Sequence, residues 1–196
     1  MARRVHLKEY DSRWPEAFGA EKQRLAPVLA PYALSVEHVG STSVPGLAAK
    51  PTVDILVGIH RLSDAPRCIE RMKALGYEYG PQFEKQIPER RYFKRMAQGA
   101  PDAEDLVHVH MVEVGSAFWE RHLLFRDHLR ANPEAAREYE ALKRDLALKH
   151  GEDRDAYTEG KSAFVRRIER AERDARAAHR PLTAPGGAAE APPPPR

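Results

Sequence analysis

The sequence predicts an α/β fold, a small mixed sheet flanked by helices with a helical C-terminal half. Three observations predict it. The run TVDILVGI is β-branched and apolar, the signature of a strand buried on both faces, and it follows the alternating segment LSVEHV. The segment VHVHMVEV repeats the strand pattern farther on, and from Ser116 onward the apolar residues recur at helical spacing. The 196 residues suffice for one domain with its own core.

Taken in order, residues 15–30 read as a helix, with Pro15 suited to a first turn and Phe18, Leu25 and Leu29 near one face. Pro27 is expected to end or bend it. Residues 34–39 read as a strand, then come the turn-rich GSTSVPGLAAKP and the buried strand TVDILVGI. Residues 63–75 read as a helix capped by Ser63 or Asp64 and stopped by Gly76. RYFKRM and VHVHMVEV read as strands, with QGAPDAEDL as the loop between them. Ser116 is suited to cap AFWERHLLFRDHLRA, and Asn132-Pro133 to start PEAAREYEALKRDLALKH. Gly151 separates these from one further helix, DRDAYTEGKSAFVRRIERAERDARA, with Tyr157, Phe164, Ile168 and Ala171 on one face. Residues 1–177 are expected to form a single domain. Residues 178–196, rich in Ala, Pro and Gly, have little to bury and are expected to be a disordered tail.

Composition excludes several classes. Charged residues make up 31% and apolar residues 42%, ordinary globular proportions. The net charge of +3 is modest for a surface built to bind a long polyanion, so nucleic acid is not expected as a partner. A small phosphorylated ligand suits the balance better. The single cysteine, Cys68, falls at core spacing with Met72 and Leu75, and one thiol fits a reducing compartment. No apolar run reaches the roughly 18 residues that span a bilayer, and no apolar stretch follows the basic N-terminus. A cytoplasmic location without membrane attachment is therefore expected.

The chemistry concentrates in EHVGSTSVPGLAAKPTVDILV. Gly40 permits a sharp bend, and Ser41, Thr42 and Ser43 offer hydroxyls and successive backbone N–H donors, an anion cradle strengthened if a short helix begins near residues 43–46. Asp54 sits in an apolar strand, where a carboxylate needs exposure, a cationic partner or a metal. Mg²⁺ takes one or two carboxylates together with phosphate oxygens, which this layout offers. The structural alternative is that GSTS caps a helix and Asp54 pairs with Lys50 or an arginine. His108 and His110, two apart on a strand, share a face and suit acid–base work, metal binding or packing. His38 faces opposite to Glu37 and is read as packing. The acid–base run of the last helix reads as a solvated face with i,i+4 pairs, and Trp14, Trp119 and Tyr139 read as core.

That segment resembles the hallmark stretch of the GrpB family of bacterial proteins, and RRYFKR, HVHMVE, FRDHLR, NPEAAREYEALKRDLA and YTEGKSAFV match as well. The resemblance covers about residues 5–172. It implies a nucleotidyltransferase-like fold, in whose active members the Gly-Ser turn holds nucleotide phosphates and paired acids on the next strand hold two Mg²⁺ ions. Gly40 and Ser41 match the Gly-Ser pair and Asp54 the first acid. The second acid is expected two residues on, where this chain has Leu56, leaving Glu37 or a histidine to substitute as metal ligand.

The resemblance also makes His110 a catalytic candidate and Arg90, Arg126, Lys143 and Lys161 pocket cations, joined as phosphate-binding candidates by residues 40–43 and Lys50. Two functions follow as expectations. One is Mg²⁺-dependent transfer of a nucleoside monophosphate from a nucleoside triphosphate to a small acceptor. The other is a non-catalytic nucleotide-binding, folding or regulatory module, with a protein partner, related to the domain fused to dephospho-CoA kinase in some bacteria.

Overall fold

The computed structural model describes residues 4–96 and 106–178. Its elements run α1 (Arg13–Leu29), β1 (Ala33–Val39), β2 (Thr52–Ile59), α2 (Ala65–Ala74), β3 (Glu78–Tyr79), β4 (Arg91–Met96), β5 (Leu106–Glu113), α3 (Ala117–Ala131), α4 (Pro133–His150), α5 (Arg154–Glu159) and α6 (Ser162–Ala178), with 3₁₀ turns at Ser41–Ser43, Leu62–Asp64 and Pro81–Lys85. The expected α/β class is the one observed.

The five strands form one mixed sheet in the order β1-β2-β5-β4-β3. β2 and β5 are parallel, with Asp54 beside His108 and Leu56 beside His110, and the other pairs are antiparallel. Alternation along the strands gives the two faces different work. Val53, Ile55, Val57, Val107, Val109 and Met111 face α1 and α2 and close the main core with Leu25, Leu29, Cys68 and Met72. Each such side chain contributes roughly 1.5–3 kcal/mol on burial. The opposite face begins polar, with Asp54, His108 and His110, and becomes apolar one step along β2, where Leu56 packs with Val39, Val112, Phe118 and Trp119. A third cluster joins Val44 and Leu47 of the loop after β1 to Leu124, Leu129, Tyr139, Phe164 and Ile168, so the helical half is packed directly onto that loop.

Some local signals worked as their chemistry suggests, whereas Asp64, at the start of α2, makes no side-chain capping hydrogen bond. Ser116 caps α3 by accepting from the Trp119 N–H at 3.3 Å. Pro27 lies in the last turn of α1, which ends at Leu29. One expectation is corrected: the long C-terminal helix is two helices. Gly160, where a Cβ would collide with Leu146, lets α5 pack against α4 and turn away before α6 begins. Tyr157 therefore belongs with Val5 and Leu146, and Phe164 and Ile168 with the loop cluster, so they share no common face. β3 and the 3₁₀ turns, two to five residues each, were too short to leave a periodic signal. Most of the expected loop QGAPDAEDL lies outside the described residues. Of the expected tail, Ala178 closes α6 and the rest lies outside them too. Among the described residues no helix is long and apolar enough to cross a membrane.

Candidate functional site

The site starts where β1 ends. Val39 pairs with Asp54, and the next residue, Gly40, adopts φ 73° and ψ −176°, a region open essentially to glycine alone. The bend presses the backbone onto β2, so that a Cβ at this position would overlap the Asp54 carboxylate. The chain then makes its 3₁₀ turn at Ser41–Ser43, two residues earlier than the expected short helix.

The three hydroxyls of the turn divide their work. Ser43 Oγ donates to Gly40 O (2.6 Å), and Thr42 Oγ1 donates to Thr52 O (3.0 Å) beside His38 Nε2 at 3.1 Å. Both hydroxyls thus hold the loop, although Thr42 still borders the cavity. Ser41 lines the cavity and hydrogen-bonds the Tyr139 side chain. Helices fix the loop from outside. Arg130 donates twice to Ser43 O (2.8 and 3.0 Å), Glu140 accepts from the Ala48 N–H (2.9 Å), and the Lys143 ammonium donates to Ala48 O.

These elements enclose a cavity of about 460 Å³ between the polar sheet face and helices α3–α6. Asp54 forms its floor. His108 Nδ1 lies 3.3 Å and His110 Nε2 3.8 Å from Asp54 Oδ1. Burial alone would raise the Asp54 carboxyl, but the facing ring nitrogens of His108 and His110 outweigh it and hold the group well below the usual carboxylate range. Behind His110, Arg90 Nη1 stands 3.3 Å from Nδ1, stacked over Tyr92 and Phe118. An arginine can only donate, so Nδ1 accepts and the imidazole proton sits on Nε2, facing Asp54. Burial lowers the His110 pKa despite the opposing pull of Asp54, which fits a neutral ring.

Three lysines complete the walls: Lys50 from the loop before β2, Lys143 from α4 and Lys161 from the α5–α6 turn. Lys161 and Lys50 lie 4.4 and 5.4 Å from the Tyr157 ring centre, and Lys143 lies 5.0 Å from that of Tyr139. Desolvation lowers all three, Lys143 to about 7 and Lys161 to about 8, with the neighbouring ammonium adding to the effect in each of those two. The far wall carries Arg121, Phe125, Val165, Arg166 and Glu169 from α3 and α6, and Arg121 Nε lies 3.5 Å from Glu169.

Of the sequence-predicted residues, Gly40, Ser41, Thr42, Lys50, Asp54, His110, Lys143 and Lys161 border this one volume. Ser43 holds the loop, and Arg90 stands behind His110. Arg126 and Glu37 pair with each other at 2.9 Å, with Arg126 also donating to His38 O and Glu37 accepting from Ser35, and neither borders the cavity. Sequence reasoning missed Arg121, His122, Tyr157 and Glu169, and read Tyr139 as core. Their helical spacing matches that of packing residues, and only the split of the last helix, signalled by Gly160, brings Tyr157 and Glu169 around one opening. His122 stacks on Phe118, and burial pushes it down to about 3.

A pair of metal ions does not fit these residues. Leu56 is sealed in an apolar cluster, Glu37 is engaged by Arg126, and among the described residues no three His, Cys, Asp or Glu side chains are grouped to hold a metal.

Comparison with known proteins agrees with this architecture. The family described as GrpB protein matches residues 4–171. The chain is 40% identical over 167 residues to the UPF0157 protein YqkA of Bacillus subtilis, covering 85% of this chain but 47% of that one, so it spans about half that relative's length. It is 30% identical over 181 residues to a dephospho-CoA kinase of Mycolicibacterium paratuberculosis, covering 83% of this chain and 44% of the kinase. The crystal structure of conserved protein GrpB from Enterococcus faecalis superposes with a TM-score of 0.75 at 36% identity, over 88% of this chain and 99% of that one.

Proposed function

This chain belongs to the GrpB family, and from that footing we propose that its cavity binds the phosphate chain of a small molecule, a nucleoside triphosphate in the first instance. One observation carries the reading. Lys50, Lys143 and Lys161 come from three separate elements to one opening, where desolvation disfavours their charge; Asp54 is the carboxylate near Lys50 and Lys161, and Glu140 the one near Lys143. Clustering like charges in a partly dry site is unfavourable unless an anion joins them. A polyphosphate supplies that anion, with Ser41 as a further donor and Phe125, Tyr139 and Val165 as a surface for the rest of the ligand.

Binding without turnover ranks first, because nucleotidyl transfer in this fold asks for a second carboxylate where Leu56 is buried. It makes the domain a nucleotide-responsive module, a role consistent with its likeness to part of a dephospho-CoA kinase. Transfer of a nucleoside monophosphate, with Mg²⁺ on Asp54, is the second reading, favoured by the ionised carboxylate beside the Gly40 bend.

Titration calorimetry with ATP, GTP, CTP and UTP, paired with an assay for pyrophosphate release over a metabolite pool, tests both. One-to-one binding with no pyrophosphate supports the module, and steady release supports transfer. No binding by any of the four, nor by inorganic tripolyphosphate, would remove the proposal.

A further inference from the structure

We infer that the cavity holds its phosphate-bearing ligand without a divalent metal, with the ammonium groups of Lys50, Lys143 and Lys161 standing in for metal charge. The inference rests on the binding reading above and goes beyond it, since it fixes the ionic form of the ligand. Four observations lead to it.

The acid that a metal pair needs is replaced by a leucine with no exposure, and packing with Val39, Val112, Phe118 and Trp119 leaves no route for water or ion to that position. The remaining carboxylate is already engaged: one oxygen of Asp54 faces both His108 and His110, and the other lies against the Gly40 backbone. Glu37, the other carboxylate that the sequence suggests, is held by Arg126 outside the cavity.

The charge balance points the same way. The lining residues carry Lys50, Lys143, Lys161, Arg121 and Arg166 against Asp54 and Glu169. A dication entering that set is repelled, whereas a polyanion is attracted, and the interaction strengthens where water is partly excluded. Lysine is suited to the task, because its ammonium is a compact charge with three donors that follow tetrahedral phosphates without a fixed geometry. The free tetra-anionic form of a nucleoside triphosphate should therefore bind better than its Mg²⁺ complex, which arrives with half its charge already neutralised.

The test is calorimetric titration of the full chain with inorganic tripolyphosphate, once in EDTA and once in excess Mg²⁺. The expected result is binding in EDTA that is equal to or tighter than binding in Mg²⁺. Replacing Lys161, which is half-exposed, by methionine should weaken the EDTA affinity by about tenfold or more. Lys50→Met serves as a second variant, with thermal melts to show that both are folded. Binding that appears only with Mg²⁺, or tightens tenfold on its addition, overturns the inference and leaves the binding reading intact. Absence of binding in both buffers overturns the two together.

Discussion

Gly40 and Asp54 touch: the glycine's left-handed bend brings its backbone so close to the carboxylate that no side chain fits between them. The turn and the acid are therefore one unit, placed by the pairing of Val39 with Asp54 at the end of the β1–β2 ladder. Gly40→Ala faces both the positive φ and the overlap with Asp54. It should lower stability by about 1–3 kcal/mol and weaken ligand binding at least tenfold. Denaturant melts and calorimetry measure the two effects. An alanine variant with parental stability and affinity would show that the contact is unimportant.

Leu56→Asp places a second acid two residues after Asp54, but in a position sealed from the cavity. Leu56 has no exposure and packs among apolar side chains. An unpaired carboxylate there should destabilise the protein by several kcal/mol, about 3–5. Urea unfolding reads the loss. A variant that folds as well as the parent and gains Mn²⁺ binding would mean that the position is open to the cavity.

Much of the site was legible in the sequence, and the reason is local. Gly40, Ser41 and Asp54 sit in one ladder and its turn, so spacing alone relates them. Lys50 follows the same loop. Lys143, on α4, and Lys161, in the α5–α6 turn, were reachable only through family resemblance, because a lysine's place along the helical half says nothing about which distant loop it meets. Arg126 shows the limit: the same reasoning put it in the pocket, whereas it pairs with Glu37 and ties α3 to β1. The helical half was clear in outline, but its last helix hid a break. DRDAYTEGKSAFV keeps enough apolar spacing to read as continuous, and only the close approach of Gly160 to Leu146 reveals the turn that carries Lys161 inward.

Stability should rise with pH across the neutral range through these lysines. In the unfolded chain they keep their protons to near 10.5, while in the fold Lys143 holds its proton only to about 7 and Lys161 to about 8. Between those values the unfolded state binds more protons, so unfolding becomes harder as pH increases. Lys161→Met removes part of this dependence. The melting temperature of the parent should therefore gain on that of the variant between pH 7 and about 9, and added tripolyphosphate should flatten the difference by restoring the charge. A constant gap across that range would contradict the burial of the ammonium groups.

Arg90 acts on Asp54 through His110. With Arg90 donating to Nδ1, the ring proton is fixed on Nε2. Arg90→Leu removes the donor together with the guanidinium contacts over Tyr92 and Phe118. Nitrogen-15 NMR of the imidazole should report a single Nε2–H tautomer in the parent and a mixture in the variant. A parent ring with its proton on Nδ1 would contradict the arrangement.

The most direct test of phosphate binding in this cavity is a crystal structure of the protein with tripolyphosphate. Phosphate oxygens within hydrogen-bonding reach of Lys50, Lys161 and Ser41, above the Gly40 bend, are the predicted result. Tripolyphosphate bound elsewhere on the surface, with the three lysines still turned to their tyrosine rings and Ala48, would contradict it.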